Sequence, residues 1–372
     1  MKLLIVEYRD WLNPRAGGAE RALREVFRRL AADRGWTIDY LCGAVAGRPA
    51  EEMSDGIRLL RRGPEAVFNL AAVGAVRGEL RHIPYDLVVE GIDKLPFFLP
   101  WLAPRRRVAC IIPHLLGETA GEAAGRAVGA VVNAAEALMP RCYRHCTVAT
   151  GAESTRAELV ARGFAPERVH VVPYGLDHTL YRPGQGTAAD AAPFLLYVGR
   201  LRRYKGLETA LRAFAEIAPR HPALRFRIVG QGDDRPRLEG LARDLGLADR
   251  VDFPGYVSEA EKVALLQTAR VLVYPSRKEG WGLPVLEAGA CGVPAVASNV
   301  PGLKEAVRDG ASGLLVPHGD AQAFAAALER ILTDPALATR LGAGAQAFAQ
   351  EFQWETSARL MGDLLERAAI SA

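Results

Sequence analysis

Residues 271–290 read VLVYPSRKEGWGLPVLEAGA. The run Val271–Tyr274 is short and apolar, as a strand buried on both faces requires. Pro275–Gly282 interrupts it with a proline and two glycines, and a helix is expected to follow. Pro284 suits the opening of that helix, where its missing N–H costs nothing. The unit is therefore strand, loop, helix, and two carboxylates punctuate it. Glu279 falls in the loop, and Glu287 is expected on the first helical turn. Gly280 and Gly282 let backbone amides approach a ligand closely, and the helix start adds partial positive charge. Such a place holds a phosphate or a polar sugar ring, with Glu287 able to accept two ribose hydroxyls side by side. Acids set at a helix start only to suit its dipole would look the same, so the stretch has to be weighed with the rest of the chain.

The same rhythm runs outward in both directions. Upstream, Leu3–Val6, Thr37–Cys42, Leu87–Glu90, Val108–Ile112, Thr147–Ala149 and Val169–Val172 read as buried strands, with helical patterns such as Ala19–Leu30 between them. Around Pro173-Tyr174-Gly175-Leu176-Asp177 the pattern breaks, and the segment to Ala192 is rich in Gly, Pro and Ala. It restarts with Phe194–Val198, Arg225–Val229, Val251–Phe253, Val271–Tyr274, Ala295–Ala297 and Gly313–Val316, and Trp354–Ala368 is a last amphipathic helix. Alternation of this kind predicts α/β architecture: two doubly wound, Rossmann-like domains joined near residue 180, facing a cleft. At 372 residues the chain is longer than a single hydrophobic core usually supports, which fits two domains.

Composition narrows the function. Apolar residues make up 49% and charged residues 24%, as in a globular protein. A formal charge of +4 is too mild to argue for nucleic acid. Lysine is scarce, six against 41 arginines, so each lysine is informative. The five cysteines are scattered, which fits a reducing compartment. Cys142 and Cys146 flank His145, but no second ligand pair follows at zinc-site spacing. The start, MKLLIVEYRDW, is charged at Glu7 and is not expected to be a signal peptide, and no stretch of 18 apolar residues occurs. The expected location is cytoplasmic.

Two further strand-end loops carry chemistry. In residues 196–206, LYVGRLRRYKG, Gly199, Arg200 and Lys205 stand past the strand, the end that borders the ligand crevice of a doubly wound sheet. A guanidinium and an ammonium there can neutralise a diphosphate, and Lys205 stands where this chain would ordinarily place arginine. Residues 228–233, IVGQGD, lack the third glycine of the dinucleotide fingerprint and say little alone.

As a set these residues resemble the retaining glycosyltransferases of the GT-B fold, family four. The matching residues are Gly199-Arg200 with Lys205-Gly206, Gly230-Gln231-Gly232, Gly255-Tyr256-Val257, Glu279 with Glu287, Pro301-Gly302-Leu303-Lys304-Glu305 and Gly313-Leu314-Leu315-Val316. The likeness covers most of residues 194–320 and departs at Pro301, where family members often have glycine. In the first half, Asn13-Pro14-Arg15-Ala16-Gly17-Gly18-Ala19-Glu20 resembles the family's glycine-rich N-terminal loop, and His114 its active-site histidine. The resemblance implies an acceptor domain, 1–180 with a crossing-back helix 355–372, and a donor domain, 181–354.

It also implies sugar transfer from a GDP-, UDP- or ADP-sugar with retention, without cofactor or metal. The chain contains no Asp-x-Asp, and Arg200 and Lys205 would stabilise the departing diphosphate instead. Glu287 would hold ribose. Glu279 and the amides of Trp281, Gly282 and Leu283 would hold sugar hydroxyls, Val257 the base, His114 the donor sugar and Gly18 a phosphate. The acceptor is open: glycolipid, polysaccharide or small glycoside. Arg21, Arg24 and Arg28, then Arg61-Arg62 and Arg105-Arg106-Arg107 beside Pro96-Phe97-Phe98-Leu99-Pro100-Trp101-Leu102, would suit peripheral docking on an anionic membrane or a lipid-linked acceptor. Three rivals stand beside this. An oxidoreductase would want G-x-G-x-x-G after the first strand. A silent GT-B binding subunit would have lost Arg200, Lys205, Glu279 or Glu287, and all four are present. A sugar-nucleotide epimerase fits the Glu279–Glu287 arrangement less well.

Overall fold

Runs such as Lys2–Val6 (KLLIV) and Phe194–Val198 (FLLYV) can be satisfied only by sheets covered on both faces, and two such sheets organise the chain. The computed structural model describes residues 1–117, 125–184 and 192–370. Part of the expected connector, 185–191, and the tail's last residues, 371–372, lie outside the described residues. The chain divides into unit 1, Met1–Gly175 with Gln353–Ala372, and unit 2, Leu176–Phe352.

Unit 1 holds β1 (Lys2–Val6), β2 (Thr37–Cys42), β3 (Glu51–Ser54), β4 (Ile57–Arg61), β5 (Leu87–Gly91), β6 (Val108–Ile111), β7 (Thr147–Thr150) and β8 (Val169–Val171). Their order is β3-β4-β2-β1-β5-β6-β7-β8, parallel except for the β3–β4 hairpin. That hairpin is unforeseen in the sequence because Glu51–Ser54 is polar; Asp55 and Gly56, both at positive φ, make its turn. The helix Gly18–Arg34 packs Val26, Phe27 and Leu30 onto β1 and β2, and Gly35 (φ +62°) ends it. The final helix Trp354–Ile370 joins the same core through Trp354, Met361, Leu364 and Leu365. Each such side chain contributes about 1.5–3 kcal/mol by leaving water. Gly362 lets the two helices cross closely: a methyl there would stand 2.7 Å from Leu30 Cδ2 and 2.6 Å from Arg34 Cζ.

Unit 2 holds β9 (Phe194–Val198), β10 (Arg225–Val229), β11 (Val251–Gly255), β12 (Val271–Tyr274), β13 (Ala295–Ser298) and β14 (Gly313–Val316), in the order β11-β10-β9-β12-β13-β14, all parallel. Among the parallel strands of each sheet the order reverses once, between β1 and β5 and between β9 and β12. A crevice opens at such a reversal, outside the carboxyl ends of the two strands.

Candidate active site

In unit 2 the loops after β9 and β12 flank the reversal, and they bring Lys205 and Glu279 together. Lys205 Nζ donates to Glu279 Oε1 at 2.5 Å, with both side chains largely buried. The ammonium also lies 5.0 Å from the Tyr204 ring and 5.7 Å from the Tyr274 ring, which stacks on Tyr197. Burial alone would favour the neutral amine; Glu279 overcomes it and holds Lys205 charged, above the ordinary lysine range. Arg200 is exposed, and its carbonyl accepts from the Tyr197 hydroxyl at 3.0 Å.

The glycines explain why the loops can be so close. A methyl on Gly230 (φ +132°) would stand 1.8 Å from the Gly199 carbonyl oxygen, and one on Gly302 (φ +83°) 2.3 Å from that of Glu279. Gly230 is thus required by loop-on-loop packing, whatever it offers a ligand. Gly282 (φ +80°) caps the helix Leu283–Ala290, placing Pro284 at its second position. Trp281 is buried edge-on against Phe352, and its Nε1 has no hydrogen-bond partner. Gly280 lies half-buried in the loop, Tyr256 is exposed and Val257 half-buried after β11.

Glu287 departs from expectation. It is the fifth residue of its helix, a turn further in than expected, where the dipole gives it little help. Its stabilising partner is instead a cation: Lys262 Nζ lies 3.1 Å from each carboxylate oxygen.

The reversal in unit 1 carries different chemistry. Glu7 follows β1 and Asp93 follows β5; the two carboxyls share a hydrogen bond, and burial first, then Asp93, pushes the Glu7 pKa well up. Glu20 is buried nearby, raised by burial and by Asp93, and its carboxylate accepts the Gly17 N–H at 2.8 Å. That amide is therefore already engaged, while Gly18 is exposed at the helix start. Glu90, at the end of β5, is fully buried; it accepts from Phe97 N at 2.6 Å and Tyr143 Oη at 2.5 Å, and burial lifts its pKa to about 7. Beside the acids, Glu65 gathers Arg9 (2.5 Å), Arg15 (2.7 Å) and Lys94 (2.9 Å). Although burial opposes ionisation, Arg9 and Lys94 hold the Glu65 pKa down at about 2. His114 is half-buried, three residues beyond the end of β6.

Several expected features sit elsewhere. The arginines taken as a basic surface are largely committed: Arg61 is buried on Asp10 and Glu52, Arg62 pairs Glu79, Arg24 is bidentate to Asp55, and Arg106 braces the carbonyls of Leu80, Arg81 and Ile83. Cys142 and Cys146 are free thiols in the core, and among the described residues no cluster of His, Cys, Asp or Glu is arranged for a metal. No helix among the described residues is long and apolar enough to cross a membrane. Sequence reasoning missed Lys262, Glu7, Asp93, Glu65 and Lys94. For the two lysines, their rarity was the available signal.

Comparison with known proteins identifies the family and the fold. Residues 183–348 match the family described as Glycosyl transferases group 1, and residues 16–180 match Glycosyltransferase Family 4. A D-inositol 3-phosphate glycosyltransferase of Geodermatophilus obscurus is 37% identical over 377 residues, 91% of this chain and 82% of that protein. Sucrose-phosphate synthase of Thermosynechococcus elongatus superposes with a TM-score of 0.84 at 27% identity over 98% of each chain. Anabaena HepE, solved with UDP-glucose, shares the fold with a TM-score of 0.78 at 19% identity, covering 99% of this chain and 100% of that one.

Proposed function

This chain belongs to glycosyltransferase family 4, and from that premise we propose that it moves a hexosyl unit from a nucleotide-diphosphate sugar, with retention, to a hydroxyl of a phosphorylated polyol or sugar. The observation that carries the donor half is the buried Lys205–Glu279 pair at the reversal between β9 and β12. A diphosphate entering there competes with Glu279 for the ammonium. Lys205 and Arg200 then neutralise the charge that develops on the leaving group, and the released Glu279 accepts hydroxyls of the transferred sugar. Glu287 grips ribose, amides of Gly280–Leu283 steady the sugar, and Tyr256 and Val257 border the base. The donor is a substrate, and no cofactor or metal is called for.

Support for the acceptor comes from unit 1. Arg9, Arg15 and Lys94 around Glu65 form a cationic group fit for a phosphate, beside acids fit for hydroxyls. The D-inositol 3-phosphate glycosyltransferase and sucrose-phosphate synthase relatives both bear phosphate-containing names. A lipid-linked acceptor is the second reading, favoured by the exposure of Trp101 (50%) and Leu102 (42%) beside exposed Arg105. Co-sedimentation with anionic liposomes at low and high salt checks it; no binding at low salt removes it.

The test is a thermal-shift panel of UDP-, GDP- and ADP-sugars, followed by NMR of the product made with inositol phosphates and hexose phosphates. One donor is expected to raise the melting temperature by mass action, and the anomeric configuration is expected to be kept. Indifference to every sugar nucleotide, or strict dependence on a divalent ion, would falsify the proposal.

A further inference from the structure

The carboxylate assigned to ribose does not stand alone. Glu287 and Lys262, both largely buried, form a group with the partly exposed Glu259, which shares the helix Glu259–Thr268 with Lys262, and with Tyr181 from the start of unit 2. Lys262 Nζ is 3.1 Å from each Glu287 oxygen and 2.7 Å from Glu259 Oε1, so three carboxylate oxygens surround its three donors. The ammonium also sits 5.0 Å from the Tyr181 ring, and the Tyr181 hydroxyl donates to Glu259, with Glu287 within its reach. Lys262 is 9% exposed, in a chain where 41 of 47 basic residues are arginine.

We propose that Lys262 is a positioning residue for the donor's ribose, acting through Glu287. This rests on the assignment of Glu287 to ribose and adds the group that makes the assignment workable. An ionised carboxylate has about four acceptor sites. Lys262 takes one on each oxygen and leaves acceptor capacity on each, the number a vicinal diol needs. It also supplies the charge that keeps two acids, the largely buried Glu287 and the partly exposed Glu259, from facing each other unpaired. An arginine here would present a planar fork. The compact ammonium can serve both acids at once. A tie between helices that serves only folding would have no preference for one sugar hydroxyl of a nucleotide.

Isothermal titration of the full-length protein separates these roles. Of UDP, GDP and ADP, the one bound most tightly by wild type is compared with its 2′-deoxy form, for wild type, K262M, K262R and Y181F. Loss of a hydrogen bond to a charged group is expected to weaken wild-type binding by roughly tenfold or more. In K262M the ribonucleotide is expected to bind about tenfold more weakly while the deoxy form changes little, so the discrimination collapses; kcat at saturating donor stays near wild type. K262R restores part of the discrimination, and Y181F loses a smaller part. Should K262M not fold, K262Q carries the same comparison. A folded K262M or K262Q with full wild-type discrimination overturns the inference and leaves the ribose assignment standing. Equal binding of both forms by wild type overturns the ribose assignment and the inference with it. Binding of none of the three diphosphates overturns the proposed function as well.

Discussion

The two sheets reverse their strand order in the same way, yet what stands at the two reversals differs. Past β9 and β12 a lysine and a glutamate form a buried ion pair. Past β1 and β5 two carboxyls share a hydrogen bond, with a third acid beside them. Topology creates the crevice in both units, and the side chains decide its character. Unit 2 keeps a positive charge, balanced by the carboxylate of Glu279. Unit 1 keeps acids whose burial favours the proton-bearing form, which hold and offer hydrogen bonds, and places its cations at one side around Glu65. In the proposed function the donor's diphosphate is assigned to the first crevice and the acceptor's hydroxyls to the second.

The strongest way to break this contrast is Lys205→Ala. Turnover is expected to fall about a thousandfold, the upper range for losing one pre-placed electrostatic group, while circular dichroism shows the fold retained. Steady-state kinetics decide it, and near-normal turnover would dissolve the distinction between the crevices.

Gly230→Ala sharpens the claim about loops. The added methyl meets the Gly199 carbonyl at 1.8 Å, so unfolding of unit 2 in urea should show a loss of about 3 kcal/mol. A variant as stable as wild type would mean that the β9 and β10 loops do not need their mutual contact.

For unit 1 the informative change is Glu90→Gln. With its pKa lifted to about 7, Glu90 favours folding most at low pH, below the ordinary glutamate value. That contribution is lost as pH rises through 7, by at most about 3 kcal/mol. Thermal melts from pH 5 to 8 should show unit 1 weakening in wild type and a flatter profile in the glutamine variant. Parallel profiles would show that the buried acid is not titrating there.

The smallest effect is expected from Arg15→Ala. Its pair with Glu65 is solvent-exposed on the arginine side (67%), so stability should change by less than about 1 kcal/mol. The KM for a phosphorylated acceptor should rise a few-fold with donor affinity unchanged; an unchanged acceptor KM would take Arg15 out of the acceptor group.

Much of this was legible in the chain. Strands buried on both faces leave unbroken apolar runs, so Thr37–Cys42, Phe194–Val198 and Val271–Tyr274 are found with their limits unchanged. The placement of Lys205 and Glu279 in loops past strand ends was legible from the apolar runs before them, whereas their pairing was not. The β3–β4 hairpin was not, since its first strand is polar and exposed, although Asp55-Gly56 is a turn signal. The Glu7–Asp93 pair was hidden for another reason: it exists only because β1 and β5 are neighbours, which no local pattern states. Lys262 was visible as a rare residue type, but its partner lies 25 positions away on another helix.

The chain passes from unit 1 to unit 2 at Gly175 and returns at Gln353. Those crossings are side by side: Leu176 N donates to the Phe352 carbonyl at 3.1 Å, and a methyl on Gly175 would touch Trp354 N at 2.3 Å. Unit 2 is therefore a cassette whose head and tail share one doorway. It can be excised, or exchanged for a counterpart, by a splice at that single point, leaving the remaining polypeptide a gap of only a few ångströms to close.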